Sequence, residues 1–185
     1  MAGGRKTAGE RIASLAILGE TVFHADDLAN LWNIHNKNTL YTTLKRYTAS
    51  GLLHRIYNGL YALQSPTHLD PRLLALKALH NPGYISCESV LFDCGIINQP
   101  PQEITVVSAI SKRFTVAENR CRSRRIPDAY LFNESGIDIH NGVRSASLSR
   151  AVCDMLYFYP HKYFDVPSLI DWKNVRMLTR AIEYP

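Results

Sequence analysis

Residues 52–63 read Leu52-Leu53-His54-Arg55-Ile56-Tyr57-Asn58-Gly59-Leu60-Tyr61-Ala62-Leu63, and this stretch decides the fold of the first part of the chain. Two runs rich in strand-forming residues flank the pair Asn58-Gly59. An Asn-Gly pair favours a type I′ turn, because both central residues of that turn need positive φ. We therefore predict a β-hairpin with a type I′ turn at Asn58-Gly59.

Three helical segments and one short extended segment precede this hairpin. Apolar residues recur at helical spacing in residues 7–18 and 25–33, and a third helix is expected over residues 36–50. Residues 21–23 are β-branched or aromatic and are predicted to be extended. Helix, strand, helix, turn, helix and hairpin in this order predict a winged helix-turn-helix domain over residues 1–65.

The third helix has two different faces. Leu40, Leu44 and Tyr47 recur at i, i+4 and i+7 and form one buried stripe. Asn36 or Asn38 is expected to cap its first turn. The outward side has hydrogen-bond donors and no acidic residue, and it consists of Lys37, Asn38, Tyr41, Thr42, Lys45 and Arg46.

This outward side suits a DNA major groove, which accepts one helix and presents acceptor groups on its base edges. We expect Asn38 and Thr42 to reach base edges, and Lys37, Lys45 and Arg46 to reach phosphates or bases. The alternative is a solvated helix surface with ordinary charges.

The hairpin adds a second set of candidate DNA contacts at the tip of the wing. Arg55, Tyr57 and Asn58 lie at or beside this tip, where winged-helix proteins often touch the minor groove or flanking phosphates. Each also has a structural alternative, since Asn58 can serve turn geometry alone and Tyr57 can pack on the hairpin.

A polar segment with two prolines, residues 64–71, is the predicted linker, and we place the boundary after residue 65. The second domain, residues 66–185, is expected to be a mixed α/β domain with an antiparallel sheet, which makes the chain an α+β protein. Strands are predicted near 103–108, 113–118, 129–133 and 137–140, and helices near 71–79, 88–94, 147–159 and 167–182.

Four arginines form the densest basic cluster of the chain: Arg120, Arg122, Arg124 and Arg125. In a strand, the first three would share one face, since side chains alternate with period two. Such a face suits phosphate or an acidic protein surface; the alternative is a solvated strand or loop. If it lies on the side of the third helix, both domains would bind DNA, and if not, it would be a partner-binding patch.

Overall charge and composition agree with an anionic partner. The chain has 21 Lys+Arg against 16 Asp+Glu, and residues 1–65 hold 7 of the basic and 4 of the acidic residues. Hydrophobic residues make up 46% of the chain, which excludes disorder over most of its length. We expect no membrane span and a cytoplasmic protein, because no apolar run approaches the ~20 residues that a bilayer requires.

The sequence offers no recognisable catalytic or metal motif. No Cys-x-x-Cys, His-Glu-x-x-His, Gly-x-Ser-x-Gly or phosphate-binding glycine loop is present. The single Asp-x-His, Asp138-Ile139-His140, is attributed to chance. We interpret Glu88 and Asp154, which lie on apolar-faced helices, as a cap, a surface charge or a buried pair. A non-enzymatic protein without cofactor or metal is therefore expected, and an unrecognised hydrolytic activity is the alternative.

The four cysteines are expected to be reduced thiols. Cys87, Cys94 and Cys153 have apolar neighbours and are interpreted as inert core residues. Cys121 is flanked by arginines that would lower its pKa, so it is the candidate reactive thiol.

Three further stretches carry a family resemblance. They are the wing from Gly51 to Tyr61, the run Tyr84-Ile85-Ser86-Cys87-Glu88-Ser89-Val90-Leu91 with the following Gly95-Ile96-Ile97 and Ile104-to-Val107 strand, and the run Ala146-Ser147-Leu148-Ser149-Arg150-Ala151-Val152-Cys153-Asp154-Met155-Leu156-Tyr157. With this spacing the chain resembles the AbiEi-type antitoxins of type IV (abortive-infection) toxin–antitoxin modules. It departs from them at Ser149-Arg150, where many members have Glu-Lys.

The resemblance implies a transcriptional repressor. Its N-terminal domain would bind double-stranded operator DNA and repress its own operon. Its C-terminal domain would support repression and counteract a nucleotidyltransferase-like toxin. The alternatives are a stand-alone winged-helix regulator and a protein-interaction module whose winged helix does not bind DNA.

Overall fold

The computed structural model describes residues 7–185, which divide into two compact units, one up to Asp70 and one from Pro71 to Pro185. The predicted boundary after residue 65 lies just before a 3₁₀ helix, Pro66–His68, that belongs to the first unit. Helices and strands are mixed along the chain, so it is an α+β protein. None of the helices in residues 7–185 is long and apolar enough to cross a bilayer.

The first unit contains three helices and a small antiparallel sheet. Its elements are α1 (Ala8–Ile17), β1 (Val22–His24), α2 (Ala25–Trp32), α3 (Lys37–Ala49), β2 (His54–Tyr57) and β3 (Leu60–Ala62). The strand order is β1-β3-β2, and both strand pairs are antiparallel. These are the elements and the order that the sequence predicts.

Side-chain caps define where the helices of this unit begin. Thr7 and Glu10 form a capping box before α1, in which each side chain accepts a hydrogen bond from the other residue's backbone N–H. Asn36 caps α3, because its Oδ1 accepts from the N–H of Thr39 at 3.1 Å. The sequence offered Asn36 or Asn38 as the N-cap of α3, and Asn36 is the N-cap in the structure.

The apolar stripes of the three helices meet in one core. Leu15 of α1, Leu28 of α2 and Leu44 of α3 are all fully buried there. The rings of Trp32 and Tyr47 meet edge to face with their centroids 5.7 Å apart. The stripe predicted for α3 thus faces inward, which leaves its opposite side to solvent.

The hairpin forms as predicted, but its turn differs. Gly59 has a φ of 70°, whereas Asn58 is not among the residues with positive φ, so the turn is not type I′. The pairing of β2 with β3 shifts register between Arg55 and Tyr57. A bulge of this kind generally increases the twist of the strand that carries it.

The second unit contains five α-helices and six strands among the described residues. Its elements are α4 (Pro71–Ala78), β4 (Gly83–Ile85), α5 (Glu88–Asp93), β5 (Ile104–Ser108), β6 (Lys112–Val116), β7 (Asn119–Arg125), α6 (Asp128–Leu131), β8 (Ile137–His140), β9 (Val143–Ala146), α7 (Leu148–Phe158) and α8 (Trp172–Ile182).

The sheet of the second unit has the order β6-β7-β5-β4-β9-β8 and is mixed. β5 pairs in parallel with β7, and β4 pairs in parallel with β9, so the sheet predicted to be antiparallel is antiparallel only in its other pairs. The hairpin of β6 and β7 returns its second strand beside β5, which places two strands of the same direction next to each other. A local sequence pattern does not indicate which strand of a hairpin pairs with a distant strand of the sheet.

Two other predictions for this unit also need correction. Residues 129–133 were predicted to form a strand, but they include most of α6, which follows Pro127 at its N-cap position. The helix predicted over 167–182 is two helices, a 3₁₀ turn at Pro167–Leu169 and α8. Asp171 separates them, because its side chain accepts hydrogen bonds from the N–H groups of Lys173 and Asn174 and starts a new helix.

Candidate nucleic-acid interface

The outward face of α3 is exposed along its whole length. Exposed side chains are found at all six positions expected to face outward: Lys37, Asn38, Tyr41, Thr42, Lys45 and Arg46. Tyr41 is 52% exposed although it is aromatic. Because α3 contains no acidic residue, this face carries positive charge and hydrogen-bonding side chains and no negative charge.

The buried side of α3 holds the helix rigidly in place. Leu40, Thr43, Leu44 and Tyr47 are buried. The Thr43 hydroxyl donates to the backbone carbonyl of Thr39 at 2.8 Å, so a polar group on this side is satisfied within the helix. The Asn36 cap fixes the first turn, which carries two of the outward residues.

The basic side chains of this face are not engaged in ion pairs with other described parts of the chain. Among residues 7–185, no acidic side chain forms an ion pair with Lys37, Lys45 or Arg46. An unneutralised cation on a surface helix retains its full attraction for an anionic partner. These three side chains are therefore available for phosphates.

The hairpin tip contains a linked pair of polar side chains. Arg55 and Asn58 are exposed, and Arg55 Nη2 donates to Asn58 Oδ1 at 3.1 Å. Tyr57 is half-buried. The arginine is thus oriented by the asparagine across the turn, and its remaining donors stay accessible.

The arginine cluster of the second unit lies on β7, and its members differ in exposure. Arg120, Arg122 and Arg124 line one wall of a cavity of about 600 Å³, as strand alternation predicts. Arg124 is only 5% exposed and forms an ion pair with Glu88, so within the predicted phosphate or partner patch it is the member least open to solvent. Arg125 is exposed on the opposite face of the strand.

Two predictions about the cysteines were wrong. Cys121 is fully buried, and burial, with a contribution from Glu103, raises its pKa to about 11. Its neighbouring arginines belong to the other face of β7 and do not lower this pKa. Cys94, interpreted as a core thiol, is exposed, whereas Cys87 and Cys153 are buried as predicted.

Cys87 lies at a strand-to-helix turn with a φ of 55° and a ψ of −131°, a conformation that only glycine adopts without strain. Catalytic nucleophiles occur at such turns in some hydrolases. Here the thiol is fully buried, and its pKa is raised by burial and by Asp154. The thiol is therefore neutral and out of reach of a substrate.

A buried polar network, which the sequence does not reveal, holds the second unit together. Arg150 is fully buried and uses every one of its N–H groups: Nε donates to Asp154, Nη1 to the carbonyls of Asn133 and Ser135, and Nη2 to the Tyr84 hydroxyl and the Tyr130 carbonyl. Asp154 also accepts from Ser86 and Tyr184. Of the open interpretations of Asp154, the buried pair is confirmed.

The described residues contain no group of three or more His, Cys, Asp or Glu side chains that could hold a metal ion. Asp138 and His140 lie on β8, at the edge of the sheet.

Comparison with known proteins gives a likeness of fold. No protein-family model and no curated protein sequence matches this chain. Among solved structures, the RV2827C protein from Mycobacterium tuberculosis is similar to it, with a TM-score of 0.50 and 14% sequence identity over 96% of this chain and 67% of that chain. At this identity the likeness concerns the fold alone.

Proposed function

We propose that the first unit is a winged helix-turn-helix domain that binds double-stranded DNA. The observation that carries this proposal is the outward face of α3, which is exposed, free of acidic residues and bears cations that form no ion pair with any residue in 7–185. The following hairpin of β2 and β3 supplies the wing. Helices α2 and α3 correspond to the two helices of the motif.

In this mode α3 enters the major groove. Its side chains Asn38 and Thr42 would hydrogen-bond to base edges, since both carry donors and acceptors at the end of the helix that Asn36 caps. Lys37, Lys45 and Arg46 would neutralise phosphates and release counterions. Arg55 at the wing tip would contact the minor groove or a flanking phosphate.

We further propose that the chain is a repressor of the AbiEi antitoxin type, which represses its own operon and counteracts a nucleotidyltransferase-like toxin. The sequence resemblance in both units supports this proposal. A stand-alone regulator would share the DNA-binding face and lack a toxin partner. A protein-interaction module would carry the same fold and would not bind DNA.

A footprint of the purified full chain on the DNA upstream of its own reading frame tests the DNA-binding proposal. Protection of a defined segment at physiological salt supports a repressor, and no protection beyond that of unrelated DNA contradicts it. Co-expression with the product of the adjacent reading frame then separates an antitoxin, which restores growth, from a stand-alone regulator, which does not.

A further inference from the structure

A cleft in the second unit runs along the face of β7 that carries Arg122 and Arg124. It consists of two adjoining cavities of about 600 and 590 Å³, which share Glu88, both arginines, Lys162 and Tyr163 as lining residues. Each volume lies within the ~300–1,000 Å³ that is usual for small-molecule sites.

The first cavity has an excess of positive charge. Five basic and three acidic side chains line it, and two of its carboxylates are ion-paired, Glu103 with Arg113 at 3.3 Å and Glu88 with Arg124. Asp165 accepts a hydrogen bond from the backbone N–H of Asn98. In contrast, Arg120 and Arg122 form no ion pair with any described residue, and the same holds for Lys162. Two arginines and a lysine facing one concave space are a typical arrangement for binding phosphate groups.

Buried polar atoms without partners lie where the two cavities meet. Three buried atoms, Arg124 Nε, Arg124 Nη1 and Glu88 Oε2, form no hydrogen bond with a described residue. The whole Arg124 residue is only 5% exposed to solvent. An unsatisfied buried donor or acceptor is costly, so both side chains favour a polar ligand at this place.

The second cavity is aromatic. It is lined by Phe158, Tyr159 and Tyr163, and Tyr163 is 76% exposed. The Arg124 guanidinium already lies over the ring of Tyr159, 5.3 Å from its centroid, whereas Tyr163 makes no ring contact with a described residue. A free tyrosine face beside basic residues is a platform on which a nucleobase can stack.

We propose that this cleft binds a nucleoside polyphosphate. Arg120, Arg122 and Lys162 hold the phosphates, and the base stacks on Tyr163. The site is separate from the residues of α3 and the wing, so the inference does not rest on the proposed DNA binding.

Calorimetric titration of the full chain with each of the four ribonucleoside triphosphates, without divalent cations, tests the proposal. At least one of them should bind, and tripolyphosphate and the matching nucleoside should each bind more weakly. Replacement of Arg120 or Arg122 by Gln should weaken binding about tenfold, which is the usual effect of losing one charge-assisted hydrogen bond. Tyr163→Ala should also weaken it about tenfold, and Tyr163→Phe should restore it.

Arg125→Gln is the matched control, because it removes the same charge from the exposed opposite face of β7. Its affinity should equal that of the wild type. Equal weakening by Arg125→Gln would show general charge attraction and overturn the site.

Absence of binding by all four nucleotides, or tripolyphosphate binding as tightly as they do, would overturn the nucleotide assignment. Competition by a single-stranded oligonucleotide at equal nucleotide concentration would assign the cleft to a polynucleotide instead. Unchanged thermal unfolding would confirm that each variant is folded.

Discussion

Arg150 and Asp154 lie one helical turn apart on α7 and form an ion pair whose two side chains are both fully buried, with 3.0 Å between Arg150 Nε and Asp154 Oδ1. The pair is surrounded by hydrogen-bonding partners from three other parts of the second unit: β4 with the residue that follows it, the segment after α6, and the chain end at Tyr184. Burial of two charges is favourable only with such complete satisfaction. This network therefore fixes how α7 packs against the sheet and the chain end.

Removal of either charge should destabilise the protein strongly. Arg150→Ala or Asp154→Ala leaves an uncompensated buried charge, and we expect the free energy of unfolding to fall by about 3–5 kcal/mol. Urea unfolding at neutral pH measures the effect. Arg125→Ala, which removes an exposed arginine, should change stability by less than about 0.5 kcal/mol. A loss below about 1 kcal/mol in both network variants would contradict the structural role of the pair.

Alkaline pH should destabilise the second unit. Burial raises the pKa of Cys121 to about 11, from about 8.5 in an unfolded chain, and burial together with Asp154 raises the pKa of Tyr84 and of Tyr184. The folded state therefore holds these protons more tightly than the unfolded state. The stabilisation is fully present below about pH 8.5 and is lost as pH rises toward 11 and beyond.

Unfolding by urea in the presence of reductant, from pH 7 to 11, checks this expectation. Each such group adds a slope of about 1.4 kcal/mol per pH unit once the unfolded chain loses its proton. Cys121→Ala should show a smaller slope between about pH 9 and 11 than the wild type. A stability that stays constant up to pH 11 would rule out the buried neutral state of these groups.

Thiol labelling should distinguish Cys94 from the other three cysteines. Cys94 is exposed, whereas Cys87, Cys121 and Cys153 are buried. In the native protein an aromatic disulfide reagent should react quickly with one thiol per chain, and Cys94→Ser should abolish this fast phase. In denaturant all four thiols should react. Fast native labelling that survives in Cys94→Ser would contradict the burial of the remaining cysteines.

Two glycines with open space around them should respond in opposite directions to replacement by alanine. A Cβ at Gly59 or at Gly9 would meet no atom within 4 Å, so only backbone conformation matters. Gly59 has a φ of 70°, and Gly59→Ala should destabilise the first unit by about 1–2 kcal/mol. Gly9 lies in α1, and Gly9→Ala should stabilise it by about 0.4–1 kcal/mol. Thermal unfolding measures the change in stability caused by each substitution. Equal changes for Gly59→Ala and Gly9→Ala would contradict the positive φ assigned to Gly59.

The first unit could be predicted well because its determinants are local. A capping side chain at Asn36, a stripe at Leu40 and Leu44, and a glycine after a short strand each act within a few residues. The type of turn was mispredicted, because the bulge in β2 also depends on how the hairpin pairs. The exposed face of α3 followed directly once the buried stripe was known.

The second unit was harder to predict because its determinants are distant in sequence. Arg150 bonds to Tyr84, which is 66 positions away, and Arg124 pairs with Glu88, 36 positions away. No local pattern distinguishes such arginines from exposed ones. The alternation along β7 did place three arginines on one face, but the cleft depends on Lys162 and Tyr163 from a distant loop.

Binding of operator DNA by a Lys45→Ala/Arg46→Ala variant, titrated at several salt concentrations, tests the central claim most directly. Lys173→Ala/Arg176→Ala is the matched control, because it removes one lysine and one arginine from the exposed surface of α8 in the second unit. We predict weaker binding by the α3 variant, with a salt slope that falls by about 0.9 for each lost phosphate contact, and an unchanged slope for the control. Wild-type affinity and salt slope in the α3 variant would contradict the assignment of α3 as the DNA-binding helix.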